Sequence, residues 1–203
     1  TNAKGNSVES APSGSVTPTA SWSGTNAWAN PSAAGWPDAT NTGWQYTGVT
    51  LTTHSGNYTA STASAVIDSL DISGQVLISA NNVTIKRCRI TVSSIDSAAV
   101  INTGSYTGTV IQDCEIIGGS GTTHGSYNGV QTGSATVQRC NIHNFENPIE
   151  AGDGLSLQDS YLHGFIADYA GAEPHYDGVE CGSGSNFTVN HNTIDNDSAD
   201  DQT

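Results

Sequence analysis

The chain contains few of the residues through which proteins bind anionic ligands or cross membranes. Methionine is absent, and five lysines and arginines stand against nineteen aspartates and glutamates, which gives a formal net charge of −14. Nucleic acids and anionic lipids are bound through clustered Lys and Arg, so we expect neither as a partner. Apolar runs of the roughly eighteen residues that a membrane span needs are also missing, and membrane insertion is not expected.

The abundant residues are glycine, serine, threonine and asparagine, and short runs of valine, isoleucine and threonine lie between them. β-branched residues favour strands, whereas glycine and asparagine favour the turns that separate strands. The sequence therefore predicts an all-β chain. Its 203 residues are enough for one domain with a substantial core.

A short pattern recurs six times after residue 45, in which one apolar residue is followed by another after five positions. A further short strand is visible in several of these repeats, for example at 99–101, 129–131, 148–150 and 178–180. Three strands per repeat without a helix predict a parallel solenoid, in which each strand pairs with its equivalent one coil away. We expect the side chains of these equivalent residues to stack inward and fill the core. The equivalent pairs are Ile67 and Ile72, Ile85 and Ile90, Ile111 and Ile116, Val137 and Ile142, Leu157 and Leu162, and Val189 and Ile194.

One of these coils carries the motifs of a known fold. It contains Asp177-Gly178-Val179, then Asn186-Phe187-Thr188-Val189, then Asn192-Thr193-Ile194. From about residue 49 onward the chain resembles the right-handed parallel β-helix (pectate-lyase-like) superfamily, especially the secreted bacterial and bacteriophage β-helix repeat proteins. The resemblance implies an all-β, right-handed parallel β-helix and an extracellular location, either secreted or on a virion or cell surface. The same coil carries enzymes and non-catalytic phage spikes, so the activity stays open.

Residues 1–44 show neither strand nor helix periodicity and are predicted to form an extended N-terminal arm before a β-helix of about six coils at 45–203. All four tryptophans lie in this arm, and an exposed tryptophan is costly unless it docks on a surface. We expect them to dock on a partner in a larger assembly, or on the β-helix itself. The tryptophans are Trp22, Trp28, Trp36 and Trp44.

The last coil ends without a recognisable amphipathic cap. Open ends of solenoids expose unpaired strand edges. The sequence therefore predicts that further chain or another molecule covers that end, and a homo-oligomer is one possibility.

Three cysteines occupy one equivalent position of the repeat, which Ser160 and Asn192 fill in later coils. We interpret Cys88, Cys114 and Cys140 as a buried stack of thiols, with a disulfide between neighbours as the less favoured alternative. Cys181 lies on another strand and is predicted to be a core residue. Because CxxC pairs are missing, a zinc site is not expected.

Four of the five cations, Lys86, Arg87, Arg89 and Arg139, lie on the repeated strands, where we expect solvated outward side chains rather than a binding patch. His143 and His163 follow equivalent apolar residues and should stack outward. These two histidines lack a recognisable third ligand, so we expect no resident metal.

Gln131, Glu150 and Glu180 form one predicted outward column, preceded by residues such as Asn128 and Asn147. Together with Tyr176 and Asp177 they form a candidate glycan-binding surface, since sugars are bound by planar hydrogen-bonding groups and aromatic faces. Glu150 and Glu180 could alternatively act as the acid and base of a glycosidase.

The segment from Tyr169 to Asp177 resembles the Tyr-x-x-Asp-Pro-His motif of alginate C5-epimerases, with one extra residue and Glu in place of Asp. The resemblance implies that Tyr169, Glu173 and His175 exchange a proton at the sugar C5. Lysine and arginine are missing after Arg139, so an anionic polyuronate would need bridging Ca²⁺; otherwise no cofactor is expected.

Three functions remain open from the sequence. The favoured one is a structural or adhesion β-helix, such as a virion tail spike, anchored through its arm and presenting a glycan-facing surface. The others are a polysaccharide lyase or C5-epimerase and a soluble carbohydrate-binding module.

Overall fold

The computed structural model describes residues 30–93, 98–119, 126–166 and 176–196. These residues form three parallel sheets, and successive strands along the chain visit the three sheets in turn. Sheet A contains β1 (Thr52–Ser55), β4 (Leu70–Ser73), β7 (Arg89–Thr91), β10 (Glu115–Ile117), β13 (Asn141–His143), β16 (Tyr161–His163) and β19 (Thr193–Asp195).

The other two sheets have six strands each in the described residues. Sheet B contains β2 (Tyr58–Ala60), β5 (Val76–Ile78), β8 (Ala98–Asn102), β11 (Ser126–Thr132), β14 (Phe145–Ala151) and β17 (Val179–Glu180). Sheet C contains β3 (Val66–Asp68), β6 (Thr84–Lys86), β9 (Thr109–Gln112), β12 (Ala135–Gln138), β15 (Ser156–Gln158) and β18 (Thr188–Asn190). This is a parallel β-helix, as the sequence predicted.

The register of the sheets confirms the alignment of the repeats. In sheet C, Ile67 pairs with Ile85, and the same column continues to Val189. In sheet A, the column from Ile72 reaches Ile194 through the predicted equivalents. Burial of each large aliphatic side chain in such a column contributes about 1.5–3 kcal/mol, so these columns dominate the stability of the fold.

The last coil departs from the sequence prediction. Val189 is 51% exposed and Ile194 is 41% exposed, whereas their equivalents Leu157 and Leu162 are fully buried. Cys181, predicted to be a core residue, is also exposed. These predictions were wrong because an inward position is buried only when coils lie on both sides, and here described residues lie on one side only.

The three stacked cysteines are confirmed as buried, free thiols. The Sγ atoms of Cys88 and Cys114 contact the carbonyl oxygens two residues before them, at 3.1 and 3.2 Å. Ser160 continues the same ladder, since its hydroxyl donates to the Gln158 carbonyl at 2.8 Å and accepts from the main chain of Cys140 at 3.1 Å. Polar atoms at this bend are therefore satisfied inside the core.

The residue before each ladder position has a left-handed backbone, with φ between +50° and +57°. This conformation is unfavourable for residues other than glycine. It is tolerated because most of these residues donate a main-chain hydrogen bond to the next coil, as Arg87 does to Gln112 at 3.1 Å. We call this set the corner column; it comprises Ser69, Arg87, Asp113, Arg139, Asp159 and His191.

Residues 30–48 run along the outside of the β-helix, and we call them the strap. The Trp36 ring packs on the His191 ring with centroids 4.7 Å apart. Further along, the Gly43 amide donates to the Arg139 carbonyl at 3.0 Å, and the Trp44 indole N–H donates to Glu115 Oε2 at 3.0 Å. The end of the predicted arm therefore lies against its own chain. The described ranges contain no helix long and apolar enough to cross a membrane.

Candidate functional site

The predicted outward column of sheet B is present in the structure. Gln131 pairs with Glu150, and Glu150 pairs with Glu180, on the consecutive strands β11, β14 and β17. Neighbouring strands of a sheet lie about 4.8 Å apart, so the column repeats a planar polar group along the axis of the β-helix.

Two asparagines hold the carboxylates of this column. Asn128 donates its side-chain amide to Glu150 Oε2, and Asn147 donates to Glu180 Oε2 at 3.0 Å. Both asparagines are almost fully buried, at 1% and 0% exposure. A buried amide therefore fixes the half-buried carboxylate of the next strand. Sequence reasoning placed the asparagines beside the column but did not predict these bonds.

Gln131 and Glu150 also line a shallow groove of about 260 Å³. The polar residues Asn102 and Thr132 and the glycines Gly104, Gly133 and Gly152 also line it. A Cβ atom at Gly152 would lie 2.9 Å from the Cα of Gly133, which is too close for any side chain. Glycine at these two positions therefore allows the two coils to pack closely.

Tyr176 and Asp177 lie where the chain enters β17. The Asp177 amide donates to Asn147 Oδ1 at 3.1 Å, so Asn147 joins this entry segment to Glu180. The predicted catalytic residues Tyr169, Glu173 and His175 lie outside the described residues, as do Trp22 and Trp28.

Every lysine and arginine in the described ranges forms an ion pair with an aspartate, and none of them lines the groove. Their side chains are 31–41% exposed, so they point outward as expected, and each is paired with an aspartate. Hydrogen bonds from Arg87 lower the pKa of Asp68 to about 2. The pairs are Lys86 and Arg87 with Asp68, Arg89 with Asp71, and Arg139 with Asp113.

A second polar cluster lies on sheet A under the strap. His143 Nε2 is 3.7 Å from Glu115 Oε1, whereas Trp44 contacts the other carboxylate oxygen, Oε2. Burial tends to raise the pKa of Glu115, but the contacts with His143 and Trp44 outweigh it and the pKa is lowered. The sequence did not predict this cluster, because Trp44 and Glu115 are 71 positions apart.

The predicted stack of His143 and His163 is confirmed, with ring centroids 4.9 Å apart. His163 also stacks on Tyr161 at 4.1 Å, and its Nε2 lies 2.9 Å from Asn141 Oδ1. Across the described part of the chain, histidines, cysteines and carboxylates form no group of three that could hold a metal ion.

Comparison with protein-family models, with curated proteins and with solved structures found no match.

Proposed function

We propose that the protein is an extracellular structural or adhesion β-helix of the pectate-lyase-like type, which binds an uncharged glycan along the sheet B groove. The observation that carries the proposal is the column of Gln131, Glu150 and Glu180, in which buried asparagines hold both carboxylates in place. Such fixed groups lose little conformational entropy when a ligand binds, so they can present hydrogen-bond acceptors to sugar hydroxyls at low cost.

The charge of the groove favours a neutral ligand. Glu150 lines it, whereas the described cations are engaged by aspartates elsewhere. A polyuronate would bring more negative charge to a chain whose net charge is −14, and like charges brought together disfavour binding. A neutral polysaccharide avoids this repulsion and still offers hydroxyl donors.

The N-terminal arm attaches the protein to a larger assembly in this proposal. Trp36 and Trp44 contact the protein's own β-helix. The Ser-, Thr- and Pro-containing sequence of residues 1–20 is then available as a tether. Removing residues 1–20 should release the protein from a particle or cell-surface fraction, while glycan binding is retained.

A polysaccharide lyase or C5-epimerase is the alternative function. It is supported by the resemblance of the segment that contains Tyr169, Glu173 and His175 to the epimerase motif. An anionic substrate would require Ca²⁺ to bridge it to the acidic face. A soluble carbohydrate-binding module would use the same groove without attachment through the arm.

Binding of the full chain to a panel of neutral and uronate-containing polysaccharides tests the proposal. We expect binding to a neutral member, with a loss of about tenfold in affinity, or about 1.4 kcal/mol, for Gln131→Ala and for Glu150→Ala. Gln112→Ala, on sheet C, is the matched control and should bind as the unaltered chain does.

Two results would overturn the proposal. If the whole panel fails to bind, the groove is not a glycan site. If a polysaccharide is cleaved or epimerised and the activity disappears in His175→Ala, the protein is an enzyme and the alternative is correct.

A further inference from the structure

A second, larger depression lies where the chain passes from sheet A to sheet B in the first three coils. Its volume is about 420 Å³, compared with about 260 Å³ for the sheet B groove, and the two share no lining residue. Sites for small molecules have volumes of about 300–1,000 Å³. We call this depression the A/B pocket; its lining includes Asn57, Ser73, Gln75 and Thr91.

Main-chain contacts between coils set the shape of the A/B pocket. The Gly56 N–H donates to the Ser73 carbonyl, and the Gly74 N–H donates to the Thr91 carbonyl, both at 3.0 Å. A Cβ atom at Gly74 would lie 2.6 Å from the carbonyl carbon of Gly56, so glycine is required for this close approach. The lining groups are therefore positioned by the regular ladder of the β-helix.

Two amide side chains are held in place at the A/B pocket. Asn57 Oδ1 accepts the Gln75 main-chain N–H at 2.9 Å, and Gln75 Nε2 donates to the Ala98 carbonyl at 2.8 Å. Asn57 Nδ2 also lies 3.4 Å from Gln75 Oε1. A side-chain amide has two N–H donors and two acceptor lone pairs. Each of these two side chains therefore keeps one N–H and one lone pair that no described residue uses.

Hydroxyl groups form another part of the lining. Ser73 and Thr91 are in register on β4 and β7, and both are exposed. Adjacent strands lie about 4.8 Å apart, so the two hydroxyls repeat at that spacing. Ser93 adds a third hydroxyl, and Val92 adds an apolar contact. Because a hydroxyl both donates and accepts, the pocket can bind groups that do the same.

The A/B pocket is uncharged on a strongly acidic chain. None of the described residues that line it carries a charge, although the net charge of the chain is −14. An ion bound there would lose water without gaining a charged partner, which is unfavourable. An uncharged polyol can exchange its hydrogen bonds with water for bonds to amides and hydroxyls. The lining therefore favours a neutral sugar over an acidic sugar or a metal ion.

We infer that the A/B pocket binds an uncharged sugar unit, held by the amides of Asn57 and Gln75 and by the hydroxyls of Ser73 and Thr91. The two amides are already fixed by the protein, so they lose little conformational entropy when the sugar binds. The site is separate from the sheet B groove and does not depend on the proposed function.

Titration of the full chain with uncharged mono- and disaccharides, followed by NMR of the amide signals, tests this site. We expect saturable shifts at the Gly74 amide and at the Gln75 side-chain amide with at least one sugar. Ser73→Ala combined with Thr91→Val removes two hydroxyls and should weaken binding by about tenfold. Thr53→Val changes an exposed threonine of sheet A outside the pocket and is the matched control, with unchanged affinity expected.

Three outcomes would overturn the inference. The first is the absence of saturable shifts with every uncharged sugar. The second is equal or tighter binding of the corresponding uronic acid, which would contradict the preference for a neutral ligand. The third is a set of shifts confined to Gln131 and Glu150, which would assign the sugar to the sheet B groove.

Two further variants keep the test independent of the proposed function and of folding. Glu150→Ala lies in the sheet B groove and should leave sugar affinity at the A/B pocket unchanged. If the double variant does not fold, Thr91→Val alone serves, because valine keeps the shape of threonine and removes only its hydroxyl. We expect about threefold weaker binding for this variant, and unchanged binding would contradict the assigned role of Thr91.

Discussion

Asn147 donates its side-chain amide to Glu180 Oε2 at 3.0 Å and accepts the Asp177 main-chain N–H at 3.1 Å, so one fully buried residue fixes both the entry and the half-buried carboxylate of β17. Asn128 repeats the first of these bonds one strand earlier, towards Glu150. The polar column of sheet B is therefore supported from inside the protein.

Asn147→Leu should lower both stability and glycan affinity. The substitution removes both bonds and leaves the Asp177 amide without its acceptor, and an unmade bond at such a site costs about 1–3 kcal/mol. Urea denaturation measures the stability, and titration with the neutral glycan measures the affinity. A stability loss with unchanged affinity would show that Glu180 binds without this support.

Cys114→Ser should be tolerated better than Cys114→Ala. A hydroxyl at this position can donate to the Gln112 carbonyl, as Ser160 does to the Gln158 carbonyl at 2.8 Å. The alanine variant loses this contact and leaves a small cavity, with a cost of about 1–2 kcal/mol. The midpoints of urea unfolding compare the two variants. A serine variant that is less stable than the alanine variant would contradict the equivalence of the two positions.

Protonation of Asp68 should weaken the fold at acid pH. Hydrogen bonds from Arg87 lower its pKa from 3.8 to about 2 in the folded protein. A carboxylate with a depressed folded pKa contributes stability that is complete above its unfolded pKa and is lost as the pH falls through the folded value. The unfolding free energy should therefore fall between about pH 4 and pH 2.

A double-mutant cycle isolates this contribution. Asp68→Asn and Arg87→Gln, alone and together, give the coupling between the two residues at each pH. The coupling should be present at pH 6 and nearly absent at pH 2. A coupling that does not change with pH would mean that charge does not contribute to the contact.

Trp44→Phe should detach part of the strap. The phenyl ring keeps most of the packing but cannot donate to Glu115, and loss of a hydrogen bond to a charged group costs about 1.5–3 kcal/mol. Tyr46→Phe is the matched control, because it removes an exposed bond to the Ala39 carbonyl and should cost less. Thermal unfolding orders the two variants; equal losses would argue against the Glu115 bond.

The fold could be predicted from sequence because the core residues of a β-helix recur with a fixed local spacing. The five-residue offset from Ile67 to Ile72 recurs with the same register in all coils. Burial of Val189 and Ile194 could not be predicted in this way, since it depends on what lies beyond the last strand rather than on their own positions.

Only part of the candidate site could be predicted from the sequence. The column of Gln131, Glu150 and Glu180 follows from alignment, because outward positions repeat with the strands. The bonds from Asn147 to Glu180 and from Trp44 to Glu115 join residues 33 and 71 positions apart. Such contacts depend on three-dimensional placement, and the sequence contains no local signal for them.

The path of the strap determines how the protein responds to force. A pull on the N-terminal arm acts first where Trp36 meets His191, and only later on Gly43 and Trp44. We expect these contacts to break one after another before the strands of the sheets separate from each other. The strap would then detach and lengthen before the column of Gln131, Glu150 and Glu180 is distorted.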